Sequence, residues 1–255
     1  MSTAIDLPEH KKVYFASDFH LGTPTQEASL AREKRIVSWL DSVSKDAAAI
    51  FLLGDLFDFW FEYKKAVPKG FVRFQGKLVE LADRGIPIHI FVGNHDLWMK
   101  DYFPTEFGIP VHYEPKEFSI NHQLMLIGHG DGLGPGDKQY KRLKKIFTNK
   151  VAQKGFAMLH PSIGVGLAHR WSKKSRLANT QYEEKFYGDD EHLLIYCKEI
   201  EASKHHDYYI FGHRHMVLDL EVSDNSRYLN SGDWVNNSNY IAFDGKTCHI
   251  HEFKI

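Results

Sequence analysis

Five times along this chain a short apolar run ends abruptly at a polar block rich in Gly, Asp, Asn and His. The runs are Lys12 to Ala16, Ile50 to Leu53, Ile88 to Val92, Leu124 to Ile127 and Tyr208 to Phe211. Short apolar runs bounded by turn residues read as buried strands. Between the first two, Glu27 to Val43 sets Leu30, Ile36, Val37 and Leu40 near a 3.6-residue spacing, which predicts an amphipathic helix. A second helix is predicted over Phe71 to Asp83, ahead of the strand at Ile88. The order βαβαβ implies parallel strands with right-handed crossovers. From Met216 onward the pattern changes to hairpins, with turns at Asp224-Asn225 and Asp244-Gly245. Such a chain is expected to be an α/β fold with two packed sheets.

The polar blocks at the strand ends are chemically selective. They are Asp18-Phe19-His20, Gly54-Asp55, Gly93-Asn94-His95-Asp96, Gly128-His129-Gly130-Asp131 and Gly212-His213-Arg214-His215. Open α/β sheets bind ligands in loops beyond the carboxyl ends of their strands, and glycines there permit tight turns and close backbone approach. Carboxylate, amide and imidazole donors without cysteine suit Mn, Fe or Zn better than Ca or Mg, which favour oxygen almost alone. Two such cations about 3.5–4 Å apart can share a hydroxide and neutralise an attacked phosphoryl group. The blocks therefore point to phosphate ester hydrolysis. In an extended segment residues i and i+2 share a face, which would align Asp18 with His20 and His213 with His215. A separation of roughly 6.6 Å lets the last two serve different metals.

A chain with 16 histidines yields some pairs by chance, and any one block alone is a common false positive. Five in order, each after a strand, are a different matter. His89, His112, His122, His249 and His251 lie within or beside predicted strands and are assigned packing or surface roles.

The succession Asp-x-His, Gly-Asp, Gly-Asn-His-Asp, Gly-His and Gly-His-x-His resembles the calcineurin-like metallophosphoesterase superfamily from about Val13 to Trp234. Three stretches narrow the likeness: Ser17-Asp18-Phe19-His20-Leu21-Gly22, Gly54-Asp55-Leu56-Phe57-Asp58-Phe59-Trp60, and His129-Gly130-Asp131 followed by Asp137 and Tyr140. With the lysine- and serine-containing segment from Trp171 to Arg176, they are similar to the UDP-2,3-diacylglucosamine pyrophosphohydrolases of lipid A biosynthesis. The best-studied of those carry Arg where this chain has His95.

The resemblance implies a four-layer αββα metallophosphoesterase sandwich, one domain over residues 1–255 with a helical cap insertion at about 137–203. It implies two divalent metal ions, manganese first, with iron and zinc as substitutes. Asp18, His20 and His215 would hold one, Asn94, His129 and His213 the other, and Asp55 would bridge them. His95 would be the catalytic group beside the phosphate, protonating the leaving oxygen or stabilising transition-state charge, with Asp96 orienting it. Asp58 and Asp131 would support the site from behind, since metal-bound imidazoles donate their other N–H to a carboxylate or carbonyl. Hydroxide attack on the α-phosphorus of UDP-2,3-diacylglucosamine would release UMP and 2,3-diacylglucosamine 1-phosphate. A phosphodiesterase acting on a nucleotide or other phosphodiester is the alternative. A non-catalytic scaffold of the same fold is a third reading, opposed by the presence of all seven ligands and His95.

The formal net charge of −1 hides an asymmetry: Lys138 to Tyr182 holds eleven Lys or Arg and no Asp or Glu. The same stretch carries Phe147, Val151, Phe156, Met158, Leu159, Ile163, Val165, Leu167 and Trp171, while Pro161, Gly164 and Gly166 would break any single helix. A basic run is by default a solvated face, but this one comes directly after His129 and would overhang the metal blocks. Basic side chains pair with phosphate and apolar walls accept acyl chains. The expected partner is an anionic acylated sugar nucleotide, with Asn94, His95, Asp137, Arg170, Lys173, Lys174, Ser175 and Arg176 as substrate contacts. The same face could touch the inner membrane surface, each basic residue adding about 1 kcal/mol. Nucleic acid is not an expected partner, because no recognised binding module accompanies the aromatic residues.

Apolar stretches such as Ala47 to Leu53 fall far short of the ~20 residues that span a bilayer. The beginning of the chain, with Asp6 and Glu9, has no apolar core of a signal peptide. Two cysteines, Cys197 and Cys248, suit free thiols in a reducing compartment, with a bridge between them left open at this level. The expected address is the cytoplasm, with peripheral contact to the inner membrane.

Overall fold

Strand β2 (Lys12–Ala16) is buried on both sides, as its unbroken apolar run requires. Its alternate side chains divide between two cores: Tyr14 and Ala16 face a layer of helices, while Val13 and Phe15 face a second sheet. The computed structural model describes residues 3–136, 138–160, 163–164, 166 and 185–254.

The first sheet runs β12-β11-β2-β3-β4-β5, with β3 at Ala47–Leu52, β4 at Ile88–Phe91, β5 at Val111–His112, β11 at Asn239–Phe243 and β12 at Cys248–Glu252. β2 to β5 are parallel, as the βαβαβ reading predicts, and the β11–β12 hairpin adds antiparallel to β2. The second sheet runs β1-β6-β7-β8-β10-β9: Thr3–Ile5, Lys116–Ile120, Gln123–Ile127, Tyr208–Phe211, Ser226–Ser231 and Val217–Ser223 in that order. β7, β8 and β10 are parallel neighbours, and the β9–β10 hairpin turns at Asp224-Asn225.

Helix α1 (Gln26–Val43) begins at Thr25, whose extended backbone lets its hydroxyl accept from Ala28 N at 3.2 Å. Its buried stripe of Ile36, Trp39, Leu40 and Val43 lies on the first sheet. Helix α2 (Val72–Asp83) has no cap of its own, and Glu33 of α1 supplies one, accepting from Arg73 N at 2.9 Å and Phe74 N at 3.1 Å. With α3 (Tyr102–Phe107) these helices form one outer layer.

Phe15 stacks on Phe51 at 5.1 Å, and Phe51 meets Phe118 of the other sheet edge-on at 4.9 Å, which ties the two sheets face to face. Each such ring, fully buried, contributes about 1.5–3 kcal/mol.

Between β7 and β8 lie α4 (Lys138–Phe147), α5 (Lys150–Ala157), a short 3-10 turn (Gly188–Asp190) and α6 (His192–Glu201). α6 puts Leu193, Leu194 and Cys197 on the outer face of the second sheet and completes the αββα order. Cys197 and Cys248 are both free thiols. His89 and His112 stand 3.2 Å apart, half-buried against Phe51 and Phe118, and His251 stacks on Tyr240, which are packing roles.

Candidate metal centre

Every block falls just beyond a strand's carboxyl end: β2, β3 and β4 deliver Asp18, His20, Asp55, Asn94 and His95, while β7 and β8 deliver His129, His213 and His215. The two sheets thus face each other across the site, each supplying part of it.

The ligand loops are not extended. Asp18, His20, Asp55, His213 and His215 all have φ between +42° and +70°, so the i, i+2 alignment expected for Asp18 with His20 and for His213 with His215 does not apply. Left-handed turns bring Asp18 and His20 together instead. Backbone bonds hold those turns: Asp18 N donates to Gly54 O at 3.0 Å, His20 N to Asp55 O at 2.9 Å and His213 N to Asp18 Oδ2 at 3.0 Å. Arg32 of α1 adds bonds to the carbonyls of His20 and Thr23.

Two donor groups result. Asp18, His20, Asp55 and His215 offer ligand atoms all within 4.8 Å of one another. His215 Nε2 lies 3.0 Å from Asp18 Oδ1 and 3.1 Å from His20 Nε2. In the other group His129 Nε2 is 3.5 Å from Asp55 Oδ2 and 3.3 Å from Asn94 Oδ1, with the His213 ring 5.2 Å from that of His129. The same Asp55 Oδ2 lies 3.7 Å from His20 Nε2. One carboxylate oxygen therefore stands between the two sets.

The donors are oriented as a cation site needs. His129 Nδ1 donates to Leu53 O at 2.7 Å, which turns Nε2 inward. Asp18 Oδ1 is fully buried, and the Nε2 atoms of His215 and His20 converge on it at 3.0 and 3.7 Å.

Electrostatics agree. Burial would raise Asp55, but the imidazoles of His129 and His95 outweigh it and hold its carboxyl well below the usual range. Asp18 is likewise held down against burial by His215 and His20. Burial would lower His129, but the Asp55 carboxylate pushes it up to about 10, whereas burial and His129 push His213 down to about 4. The carboxylates thus draw positive charge onto an imidazole, a place a divalent ion can take by displacing the proton.

The three residues expected to support the site make the following contacts. Asp96, expected to orient His95, instead accepts from the backbone amides of Gly93 at 2.7 Å, Leu56 at 2.7 Å and Asp55 at 3.3 Å, locking two ligand loops together. Beside His95 is Asp58, whose carbonyl lies 3.0 Å from Nδ1 and whose Oδ1 lies 3.8 Å away. Asp131, expected behind a metal-bound imidazole, is bonded by Tyr140 and by Lys144, whose Nζ is 2.8 Å away. The group behind His129 Nδ1 is the Leu53 carbonyl.

Arg214 points away from its flanking histidines into a buried ion pair with Glu191, donating also to Lys185 O at 2.8 Å. Ser17 bonds Asp18 and stands 2.7 Å from Ser231, linking the sheets. Glu191 and Ser231 carry no local sequence signal, since their partners are distant in the chain. A Cβ at Gly212 would meet Ser17 Oγ and, at 2.6 Å, Asp18 Oδ2, so only glycine fits. Asp137, Arg170, Lys173, Lys174, Ser175 and Arg176 lie outside the described residues.

A family model for calcineurin-like phosphoesterases matches residues 11–217, most of the chain and all five ligand loops. The chain belongs to the calcineurin-like phosphoesterase family. It is accordingly a metal-dependent hydrolase, and its Asp and His cluster is a divalent metal centre. This calcineurin-like phosphoesterase is 38% identical over 249 residues to a protein of Porphyromonas gingivalis named UDP-2,3-diacylglucosamine hydrolase, covering 92% of this chain and 95% of that one. A Proteus mirabilis protein of the same name is 30% identical over 171 residues, 67% of this chain and 69% of its own. Among solved structures, wild-type Vps29 complexed with Zn2+ from Entamoeba histolytica covers 95% of this chain and 99% of its own at 12% identity and a TM-score of 0.41.

Proposed function

We propose that this phosphoesterase hydrolyses the pyrophosphate bond of UDP-2,3-diacylglucosamine to UMP and 2,3-diacylglucosamine 1-phosphate, with two divalent cations, Mn2+ first. The observation that carries the reading is Asp55 Oδ2, 3.7 Å from His20 and 3.5 Å from His129, one oxygen shared by two donor groups. When bound, the cations supply water activation and charge neutralisation at phosphorus. Asp18, His20 and His215 are assigned to one, Asn94, His129 and His213 to the other, and Asp55 to both.

His95 stands with its ring 4.8 Å from that of His20. Its Nδ1–H donates to the Asp58 carbonyl, which fixes the orientation of the ring. As imidazolium it can give a proton to the oxygen of the departing sugar phosphate and offset charge on the attacked group.

The sugar nucleotide is supported by the names of relatives that match most of the chain. The helical insertion of about 137–203, apart from α6 in the outer layer, is assigned as the cap. Its Ile146, Val151 and Met158 are exposed beside Lys145, Lys150 and Lys154, a combination suited to an acylated anion. Asp137, Arg170, Lys173, Lys174, Ser175 and Arg176 are retained as proposed contacts, and the protein is assigned to the cytoplasmic face of the inner membrane. No helix among the described residues is long and apolar enough to cross it.

The test is product analysis by mass spectrometry with the Mn2+-loaded enzyme offered a diacylated UDP-sugar, nucleotides and a generic diester. UMP and the diacylated sugar 1-phosphate are the expected products; preferential cleavage of nucleotides would replace this substrate. Asn94→Ala and His129→Ala should each lower turnover at least about a hundredfold and reduce occupancy of the second metal by elemental analysis. Full turnover in both would sink the ligand assignment.

A further inference from the structure

Helix α4 is bonded to two ligand loops at once. Near its start Tyr140 donates its hydroxyl to Asp131 Oδ2, Lys144 Nζ lies 2.8 Å from the same oxygen and donates to the Asp131 carbonyl at 3.3 Å, and Lys141 donates to the Gly134 carbonyl. Tyr140 and Lys144, four residues apart, share a helix face, and Gly132 lies beneath them, where a Cβ would stand 3.4 Å from the tyrosine ring. Asp131 is 5% exposed and two residues past His129.

At the other end of α4 the Phe147 carbonyl accepts the Trp98 indole N–H at 2.7 Å. A helix leaves its last carbonyls without internal partners, so the indole takes an acceptor the helix itself cannot use. Trp98 also packs edge-on to Phe147 at 5.5 Å and against Phe156 of α5 at 4.8 Å. Trp98 is four residues past Asn94.

One ten-residue helix, about 15 Å long, therefore grips the loop after β7 at one end and the loop after β4 at the other. Those loops belong to different sheets, and they carry His129 and Asn94, whose side chains are 3.3 Å apart.

We propose that α4 is a strut that sets the spacing of Asn94 and His129, with Tyr140, Lys144 and Trp98 as positioning residues; this rests on the ligand assignment proposed above. A charge-assisted clasp on a buried carboxylate is among the stronger hydrogen-bonded contacts, and a helix clasped at both ends transmits a displacement rather than absorbing it. Substrate packing on the exposed side of α4 and α5 is thereby felt at Asn94 and also at His129, which it need not touch.

The test compares wild type with the pair Tyr140→Phe/Lys144→Met, with Trp98→Phe, and with Lys144→Arg. Trp98→Phe removes the N–H and one of the two fused rings while leaving α4 and the Asp131 clasp unaltered, so it remains informative if the paired variant folds poorly. Mn2+ affinity is read by titration calorimetry, and amide exchange of residues 130–134 and 95–99 is followed in the metal-free chain. Loss of outer partners typically weakens a metal site about 10–100-fold. The expected result is a loss in that range for the paired variant, a smaller loss in the same direction for Trp98→Phe, and recovery in Lys144→Arg. Exchange should quicken in both loops, not only in the one that was altered. Mn2+ affinity within twofold of wild type in both variants, or quickened exchange confined to α4, would overturn the strut. If wild type leaves UDP-2,3-diacylglucosamine intact while the affinity losses appear, the substrate reading falls and the strut stands.

Discussion

Five of the nine non-glycine residues held at positive φ among the described residues are proposed ligands. Each such residue costs on the order of 1–3 kcal/mol, which the surrounding bonds must offset. That strain makes the packing around the loops unforgiving. Gly93 shows it without any strain of its own: an added Cβ would overlap the Asp55 carboxylate and lie 2.6 Å from the Asp55 amide nitrogen. Gly93→Ala should leave the sheets folded and weaken metal binding by about 10–100-fold, read by calorimetry beside a circular-dichroism melt. Affinity at the wild-type level would mean that the two loops can part without consequence. The sequence revealed the donor types, because Asp, Asn and His after strand-like runs are chemically conspicuous. It could not reveal their backbone hand, since nothing in Asp18 or His213 alone selects φ > 0. That choice is made by Gly54 O and Asp18 Oδ2, which arrive from other strands.

Among elements, those with long periodic patterns were legible. β2 and β8 begin and end where the apolar runs do, and α1 and α2 differ from expectation by one residue at their starts. What escaped were short pieces such as α3 and β5, too brief to show a period, and features built from distant residues. The capping of α2 by Glu33 is one. The end of α6 is another: Glu201 accepts from His206 N at 2.9 Å, Tyr209 OH at 2.9 Å and Ser223 OH at 3.1 Å, and faces His205 Nδ1 at 2.6 Å. Burial would raise its carboxyl, but these partners outweigh it and bring it from 4.5 down to about 2. A folded value below the unfolded one means that the stabilisation is fully present above about 4.5 and is lost as pH falls toward 2. Glu201→Gln should therefore flatten the acid limb of stability between pH 5 and about 2.5, removing on the order of 1–3 kcal/mol after solvent screening. Urea midpoints across that range measure it; parallel slopes for the two proteins would count against the assignment.

At the level of the whole molecule, the βαβαβ order and the terminal hairpins predicted two packed sheets, and the αββα layering arises because each sheet buries one face on the other and the opposite face under helices. The placement of α6 in the fourth layer was not legible. The sequence shows α6 only as the tail of a basic, apolar insertion, while its partners Leu126, Tyr209 and Tyr228 lie on three separate strands. The division of the ligands has its own consequence. Asp18 and Asp55 hang from one sheet, His129 and His213 from the other, so a cation held among them works as a removable rivet through the sandwich. Chelation should lower the melting temperature, by an amount that follows the logarithm of the free-ion concentration, because an ion bound only by the folded state stabilises it by mass action. The melt should remain a single transition, since neither sheet keeps a complete ligand set when the rivet is drawn.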